Sequence, residues 1–323
     1  INAEYGDKMS RSIYDCHSHT FLCGHAEMVG PRVYHALANA KGFKGYAFCC
    51  HNPFPLNDVT PEYRMTFRQY DTFLNAYQVE KQFAKENFPE LDLTLNMEVD
   101  YHPADPSKTK EFIQLTRNFD CILGSLHYYY ELCEVPQEKY FQFVSNYVKT
   151  WKLAVSTGWF QVMSHFDFFK ARFGMDWYLQ NFEVMKQDLF SGLEHLANVN
   201  LQRCQEGQQP ISLEMNTGGL QYGCDPYLPT GQLIQKAIEL QIPICLGSDA
   251  HQSHEVGRQF KEALEFLKEN GCEFLHYYKQ KQIQSYSVQD ALDSLIDCDE
   301  QQVLKQFKLE NKDYAKIGKY MPK

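Results

Sequence analysis

The sequence predicts a distorted, TIM-like (β/α)7 barrel with its active site at the C-terminal ends of the strands. Short apolar runs alternate with amphipathic helical stretches through most of the 323 residues, the pattern of a parallel sheet covered by helices. Nearly every apolar run ends in a histidine or an acid. An open doubly wound sheet is the alternative, but it collects its ligands at one crossover, whereas a barrel gathers them from many strand ends.

The first strand begins at Ile13 and runs toward His17, His19 and His25. Alternation puts His17 and His19 on one face, about 6 to 7 Å apart along the backbone, and a loop can fold His25 back toward them. Residues 31–41 form a helix striped by Val33, Leu37 and Ala40, with Gly42 as its C-terminal cap. The strand at 45–50 ends at His51. A polar loop, 57–64, precedes a long helix over 65–87, and the strand at 93–101 carries Glu98 and Asp100, with His102 behind them.

A helix over 106–117 leads to the strand at 121–127, which ends in His127, and an aromatic loop covers 128–136. Helix 140–158 precedes the strand 162–167 with His165. Residues 178–206 are helical, 210–217 form the sixth strand, and a Gly218–Gly219 turn opens a polar loop to Pro229. Helix 230–240 is followed by the strand 243–248, with Asp249 and His251 at its end, and by helix 256–270. Residues 274–278 form a last strand or extended closing segment. The barrel domain is expected over 1–287, and a C-terminal helical extension over 288–323, its helix running from about 288 to 307.

Composition narrows the function. The chain is 44% hydrophobic and 22% charged, with a formal charge of −10. It has no lysine or arginine block able to track a phosphate backbone, so nucleic acid is not an expected partner. A small anionic substrate stays open, because bound cations would change the local field. The 11 cysteines include no Cys-x-x-Cys pair, which argues against a zinc knuckle or a secreted disulfide framework. No leader-like apolar run and no stretch near 18 apolar residues is seen, so no membrane is expected and the cytoplasm is the expected location.

The strand-end donors are His17, His19, His25, His51, Glu98, His127, His165, Asp249 and His251. A lone His-x-His is as readily a pair of surface histidines; this many donors at equivalent positions is not. They are too many for one zinc ion, which takes four ligands, and suit two or three divalent ions sharing a bridging group. Imidazole with carboxylate points to zinc, manganese or iron rather than calcium.

The ordered motifs Asp15-Cys16-His17-Ser18-His19-Thr20 with His25, Cys50-His51-Asn52-Pro53, Glu98-Val99-Asp100-Tyr101, Gly124-Ser125-Leu126-His127, Ser164-His165-Phe166-Asp167, Glu214-Met215-Asn216-Thr217-Gly218-Gly219-Leu220 and Gly247-Ser248-Asp249-Ala250-His251 with Val256-Gly257-Arg258 resemble the PHP family. That family is named for polymerase and histidinol phosphatase, and the likeness is closest to its histidinol-phosphatase branch, over roughly residues 12–287. The resemblance implies three metal ions: one on His17, His19, Glu98 and Asp249, a second on His25, His51 and His251, and a third on His127, His165 and bridging Glu98. It also implies hydrolysis of a small phosphomonoester, foremost L-histidinol phosphate, by a metal-bridging hydroxide attacking in line.

His254 is the expected proton donor to the leaving alcohol, while Arg258 and Arg172, with Lys170 as a third choice, are the expected cations for the phosphate. Two departures stand out: Cys50 precedes His51 where relatives carry Asp or Glu, and Gln221 follows Leu220 where the branch carries arginine. The alternatives are a PHP phosphoesterase acting on another phosphomonoester or on a phosphodiester, an amidohydrolase-like enzyme, for which no strand-end lysine presents itself, and a noncatalytic metal module.

Overall fold

The computed structural model describes residues 11–53, 64–127 and 135–310. Seven parallel strands follow one another in sequence order: β1 Tyr14–Asp15, β2 Gly45–Phe48, β3 Asp92–Asp100, β4 Cys121–Ser125, β5 Val162–Met163, β6 Ser212–Asn216 and β7 Ile244–Gly247. The two edges meet beyond β1. Cys16 N–H donates to Leu246 O at 2.9 Å, Asp249 N–H to His17 O at 2.8 Å and His19 N–H to Ala250 O at 2.8 Å. The sheet is therefore a distorted, nearly closed (β/α)7 barrel, as the alternation of strands and helices predicts.

The helices are α1 Pro31–Ala40, α2 Phe67–Asn87, α3 Pro106–Leu115, α4 Tyr140–Ser156, α5 Lys170–Phe173, α6 Met175–Gln205, α7 Gly231–Glu239 and α8 Phe260–Glu269. Their ends follow local chemistry. Gly42, at φ +83°, ends α1 with Gly42 N–H bonded to Asn39 O and Phe43 N–H to Ala38 O, the paired bonds of a Schellman cap. Thr66 and Gln69 cap α2 reciprocally, each side chain reaching the other's backbone N–H. Pro106 begins α3 behind Asp105, whose side chain accepts from Ser107 N–H. Residues 57–63 of the loop expected over 57–64 and most of the aromatic loop expected over 128–136 lie outside the described residues.

Several strands are shorter than the apolar runs that announce them, because the chain leaves the sheet to aim polar groups inward. At β5 this happens after Met163: His165 takes φ +22°, and its carbonyl accepts from Phe168 N–H at 2.9 Å. Asp249, past β7, sits at φ +51°. Left-handed backbone at non-glycine residues costs on the order of 1 to 3 kcal/mol and concentrates at functional sites.

Two expectations need correction. The segment at 274–278 is not a further barrel strand. It forms β8 Phe274–Lys279, which turns back as the antiparallel β9 Gln282–Ser287. Tyr277 stacks on Tyr14 with ring centroids 3.6 Å apart, Tyr278 Oη bonds Pro210 O at 2.7 Å, and Lys281 N–H bonds Asp120 O at 2.8 Å. Those partners lie at or before the starts of β1, β6 and β4, so the hairpin closes the amino-terminal mouth. The single helix expected from about 288 to 307 is two, α9 Val288–Ser294 and α10 Glu300–Glu310. The break comes where Leu295 turns extended, Ile296 N–H bonds Lys41 O at 3.1 Å, and Asp299 caps Gln302 N–H at 3.1 Å. Among the described residues no helix is long and apolar enough to cross a membrane.

Candidate metal centre

At the carboxyl mouth the strand ends bring all nine predicted donors together. Glu98, from β3, is the hub. Its Oε1 lies 2.8 Å from His165 Nε2 and 3.5 Å from His127 Nε2. Its Oε2 lies 2.9 Å from His51 Nδ1, 3.3 Å from His17 Nε2 and 3.5 Å from His19 Nε2. Asp249 Oδ1 stands 2.9 Å from His19 Nε2 and 3.6 Å from His17 Nε2. His25, on the loop after the first strand, is exposed, but its ring packs 4.5 Å from that of His251 and 5.3 Å from that of His51.

The donor atoms fall into compact groups: His17, His19 and Asp249; His25, His51 and His251; Glu98, His127 and His165; and also His19, His51 and Glu98, each with all its atoms within 4.8 Å of one another. The second and third match sets that the sequence resemblance implies, and the first is its remaining set without Glu98. Every member but His25 and the half-buried His127 is buried.

Buried imidazoles and carboxylates normally saturate their hydrogen bonds. Here His19 Nδ1, His51 Nδ1, His251 Nε2 and Glu98 Oε2 have no hydrogen-bond partner among the described residues, although His51 Nδ1 and Glu98 Oε2 are only 2.9 Å apart. Polar atoms packed this closely, yet not aimed at one another, suit cations lying between them. Nitrogen and oxygen donors of this kind fit borderline divalent ions, so the residues present fit a metal centre.

Electrostatics agree. Burial alone would lower the pKa of His17, but Glu214, Asp249 and Glu98 outweigh it and hold it well above the usual value. Burial would raise Glu98 and Asp249, yet the surrounding histidines keep both well below the carboxylate range. The site is thus a balanced lattice of opposite charges in which cations can take the place of protons.

An outer layer fixes these groups, and sequence reasoning passed over most of it. Glu214 on β6 accepts from His17 Nδ1 at 2.7 Å and from His165 N–H at 2.9 Å. Asn216 Nδ2 donates to Asp249 Oδ2 at 3.1 Å. Asp100 accepts from His127 N–H at 2.7 Å and is paired with Arg64. The available signal was a strand in which Ser212, Glu214 and Asn216 alternate with Leu213 and Met215, so that the glutamate and the asparagine face one side of the sheet.

The remaining predicted residues stand apart. His254 lies exposed on the short helical turn Ser253–Glu255, and Arg172 is exposed on α5. The structure brings neither into the donor cluster. Arg258 is close but engaged: Nη1 pairs with Glu255 Oε1 at 3.0 Å, Nε donates to Thr217 O at 3.3 Å and Nη2 to Ser248 O at 3.3 Å. It ties together the ends of β6 and β7. Lys170 is fully buried between Asp167 and Asp225, 3.1 and 2.5 Å away.

No protein-family model matches the chain. It is 29% identical over 269 residues to a Deinococcus radiodurans protein named "Probable histidinol-phosphatase", covering 80% of this chain and 93% of that protein. It is 24% identical over 279 residues to the histidinol-phosphatase of Bacillus subtilis, covering 78% and 98%. The chain is a relative of the histidinol-phosphatases. This agrees with the resemblance carried by the strand-end motifs. The fold is shared with the histidinol phosphate phosphatase of Lactococcus lactis, whose structure was solved with zinc, L-histidinol and phosphate: TM-score 0.62, 19% identity, 84% of this chain and 98% of that one covered.

Proposed function

We propose that this chain is a metal-dependent phosphomonoesterase that hydrolyses L-histidinol phosphate to L-histidinol and phosphate. One observation carries the reading: three groups of metal donors converge around Glu98 at the carboxyl mouth of the barrel. Relatives named as histidinol-phosphatases, matched over 93% and 98% of their own lengths, supply the substrate.

His17, His19, Asp249 and Glu98 would hold one ion, His25, His51 and His251 a second, and His127, His165 and Glu98 a third. Zinc is the foremost choice, with manganese and iron the others the donors accept. Bound there, divalent ions supply an ionised water as nucleophile and neutralise the phosphoryl oxygens.

The chain's own residues set the geometry. Glu98 spans the groups, Glu214 fixes the ring of His17, and Asp100 anchors His127. Phe168 packs 5.1 Å from the His165 ring and 5.7 Å from that of His127, with Tyr222 edge-on to it at 4.9 Å. This aromatic wall offers a flat surface to the imidazole ring of the departing histidinol. His254, outside the cluster, has no proton transfer assigned to it, and Arg258 acts by holding strand ends together. The substrate is small and the location cytoplasmic in this reading.

Gln221, where the branch carries arginine, favours one second reading: the same phosphoesterase chemistry on another small phosphoester. Phosphate release from metal-loaded protein, across a panel of histidinol phosphate, simple phosphomonoesters and a dinucleotide, separates the two. The first reading expects the highest kcat/KM on histidinol phosphate. Turnover of the dinucleotide alone would overturn it.

A further inference from the structure

We propose that Cys23 is a sulfur ligand of the centre, giving a thiolate to the ion beside His251 and making that position a mixed nitrogen–sulfur site. The inference rests on the metal-centre reading and adds to it a donor that the strand-end pattern does not contain. Cys23 Sγ lies with donor atoms of His19 and His251 in one group, all within 4.8 Å of one another. Both histidines are over nine-tenths buried, and each keeps a ring nitrogen, His19 Nδ1 and His251 Nε2, without a hydrogen-bond partner. His251 Nδ1 is 2.9 Å from Asp249 O. A carbonyl only accepts, so Nδ1 carries the proton and Nε2 presents its lone pair.

The backbone holds the sulfur rigidly. Cys23 ends the short helical turn Phe21–Cys23, in which the Thr20 side chain accepts from Leu22 N–H, and Gly24 at φ +85° reverses the chain toward His25. Sγ is fully buried and donates to Thr20 O at 3.0 Å. The histidines His25, His51 and His251 offer no anion of their own to a dication. A thiolate supplies one. On ligation the S–H bond breaks, its proton passes to solvent, and the electron pair left on sulfur forms the bond to the ion. Sulfur ligation favours zinc over manganese.

The test is cobalt(II) added to the metal-stripped, full-length protein and followed by absorption. The expected result is an intense near-ultraviolet sulfur-to-cobalt band beside the weaker visible bands of bound cobalt. Cys23→Ser loses the ultraviolet band and keeps the visible ones. Cys50→Ser, whose sulfur also packs against Thr20, keeps both. X-ray absorption of the zinc-loaded native protein gives a second readout that needs no variant, a sulfur shell near the ordinary Zn–S distance of about 2.3 Å. Bound cobalt without a sulfur band, or a band that survives Cys23→Ser, overturns the proposal and leaves the metal centre standing. Failure to bind cobalt or zinc at all overturns both.

Discussion

Glu214 Oε1 accepts the Nδ1 proton of His17 at 2.7 Å, and that bond decides which nitrogen of the imidazole faces the other donors. With Nδ1 committed to β6, Nε2 is left 3.1 Å from His19 Nε2 and 3.3 Å from Glu98 Oε2. A carboxylate behind a ligating histidine fixes its tautomer and raises its basicity, and losing such a partner typically costs 10- to 100-fold in metal affinity or activity. Glu214→Gln keeps the shape and removes the charge. We expect metal affinity, measured by competition with a chromophoric chelator, to fall about 10- to 100-fold with the circular dichroism of the fold unchanged. Unaltered affinity would remove Glu214 from the centre.

Metal uptake is expected to release protons. In the metal-free chain burial would lower His19, but the hydrogen bond and charge of Asp249 raise it to about 9. Burial likewise opposes Glu98 and Asp100 at His127, and they raise it to about 9. Both raised histidines stabilise the metal-free fold fully below an unfolded pKa of about 6.5, and that stability is lost as pH climbs through about 9. Cations compete with these protons, so affinity should rise across the same window. Calorimetric titrations in buffers of differing ionisation enthalpy should show net proton release at pH 7. Uptake with no proton release, and affinity flat across the window, would sink the account.

The barrel was legible because burial patterns are periodic. Val33 and Leu37 stripe α1, the apolar runs announce the seven strands, and the nine predicted donors stand at or just past their ends. What stayed hidden depends on contacts between distant residues. The β8–β9 hairpin turns at Gln280 and Lys281, at φ +51° and +61°. Such turns normally advertise themselves with Asn-Gly or Asp-Gly, and here the strain is held by Asp120, which takes up Gln280 N–H and Lys281 N–H at 2.9 and 2.8 Å. Arg258 looked like a phosphate ligand from its place after the last motif. Only the structure reveals that Glu255 and two carbonyls already occupy it.

Lys170 is a test of packing rather than chemistry. Its ammonium is fully buried, bonded to Tyr227 O at 2.7 Å and paired with Asp167 and Asp225. Lys170→Met would leave two carboxylates facing each other without a cation, one of them completely buried. Breaking a buried pair from one side costs about 3 to 5 kcal/mol, so a large fall in the chemical-denaturation midpoint is expected. Adding Asp225→Asn should recover part of it. Equal stability of the single variant and the native chain would contradict the burial described for this pair.

Gly247 shows how closely the barrel wall is fitted to the site. A Cβ placed on it would collide with Glu214 Oε1 and approach His17 Cβ to 2.8 Å. Both side chains take part in the bond that orients His17, and neither can withdraw into free space, because both are fully buried. Gly247→Ala should therefore push Glu214 off His17 or shift β7 itself. Overpacking of this kind costs about 1 to 3 kcal/mol in stability, and we expect a loss of metal affinity at least as large as that of Glu214→Gln. Combining the two substitutions discriminates the routes. If the alanine acts through Glu214, the double variant binds metal no more weakly than Gly247→Ala alone. Fully additive losses would mean that the methyl group disturbs the centre by some other path.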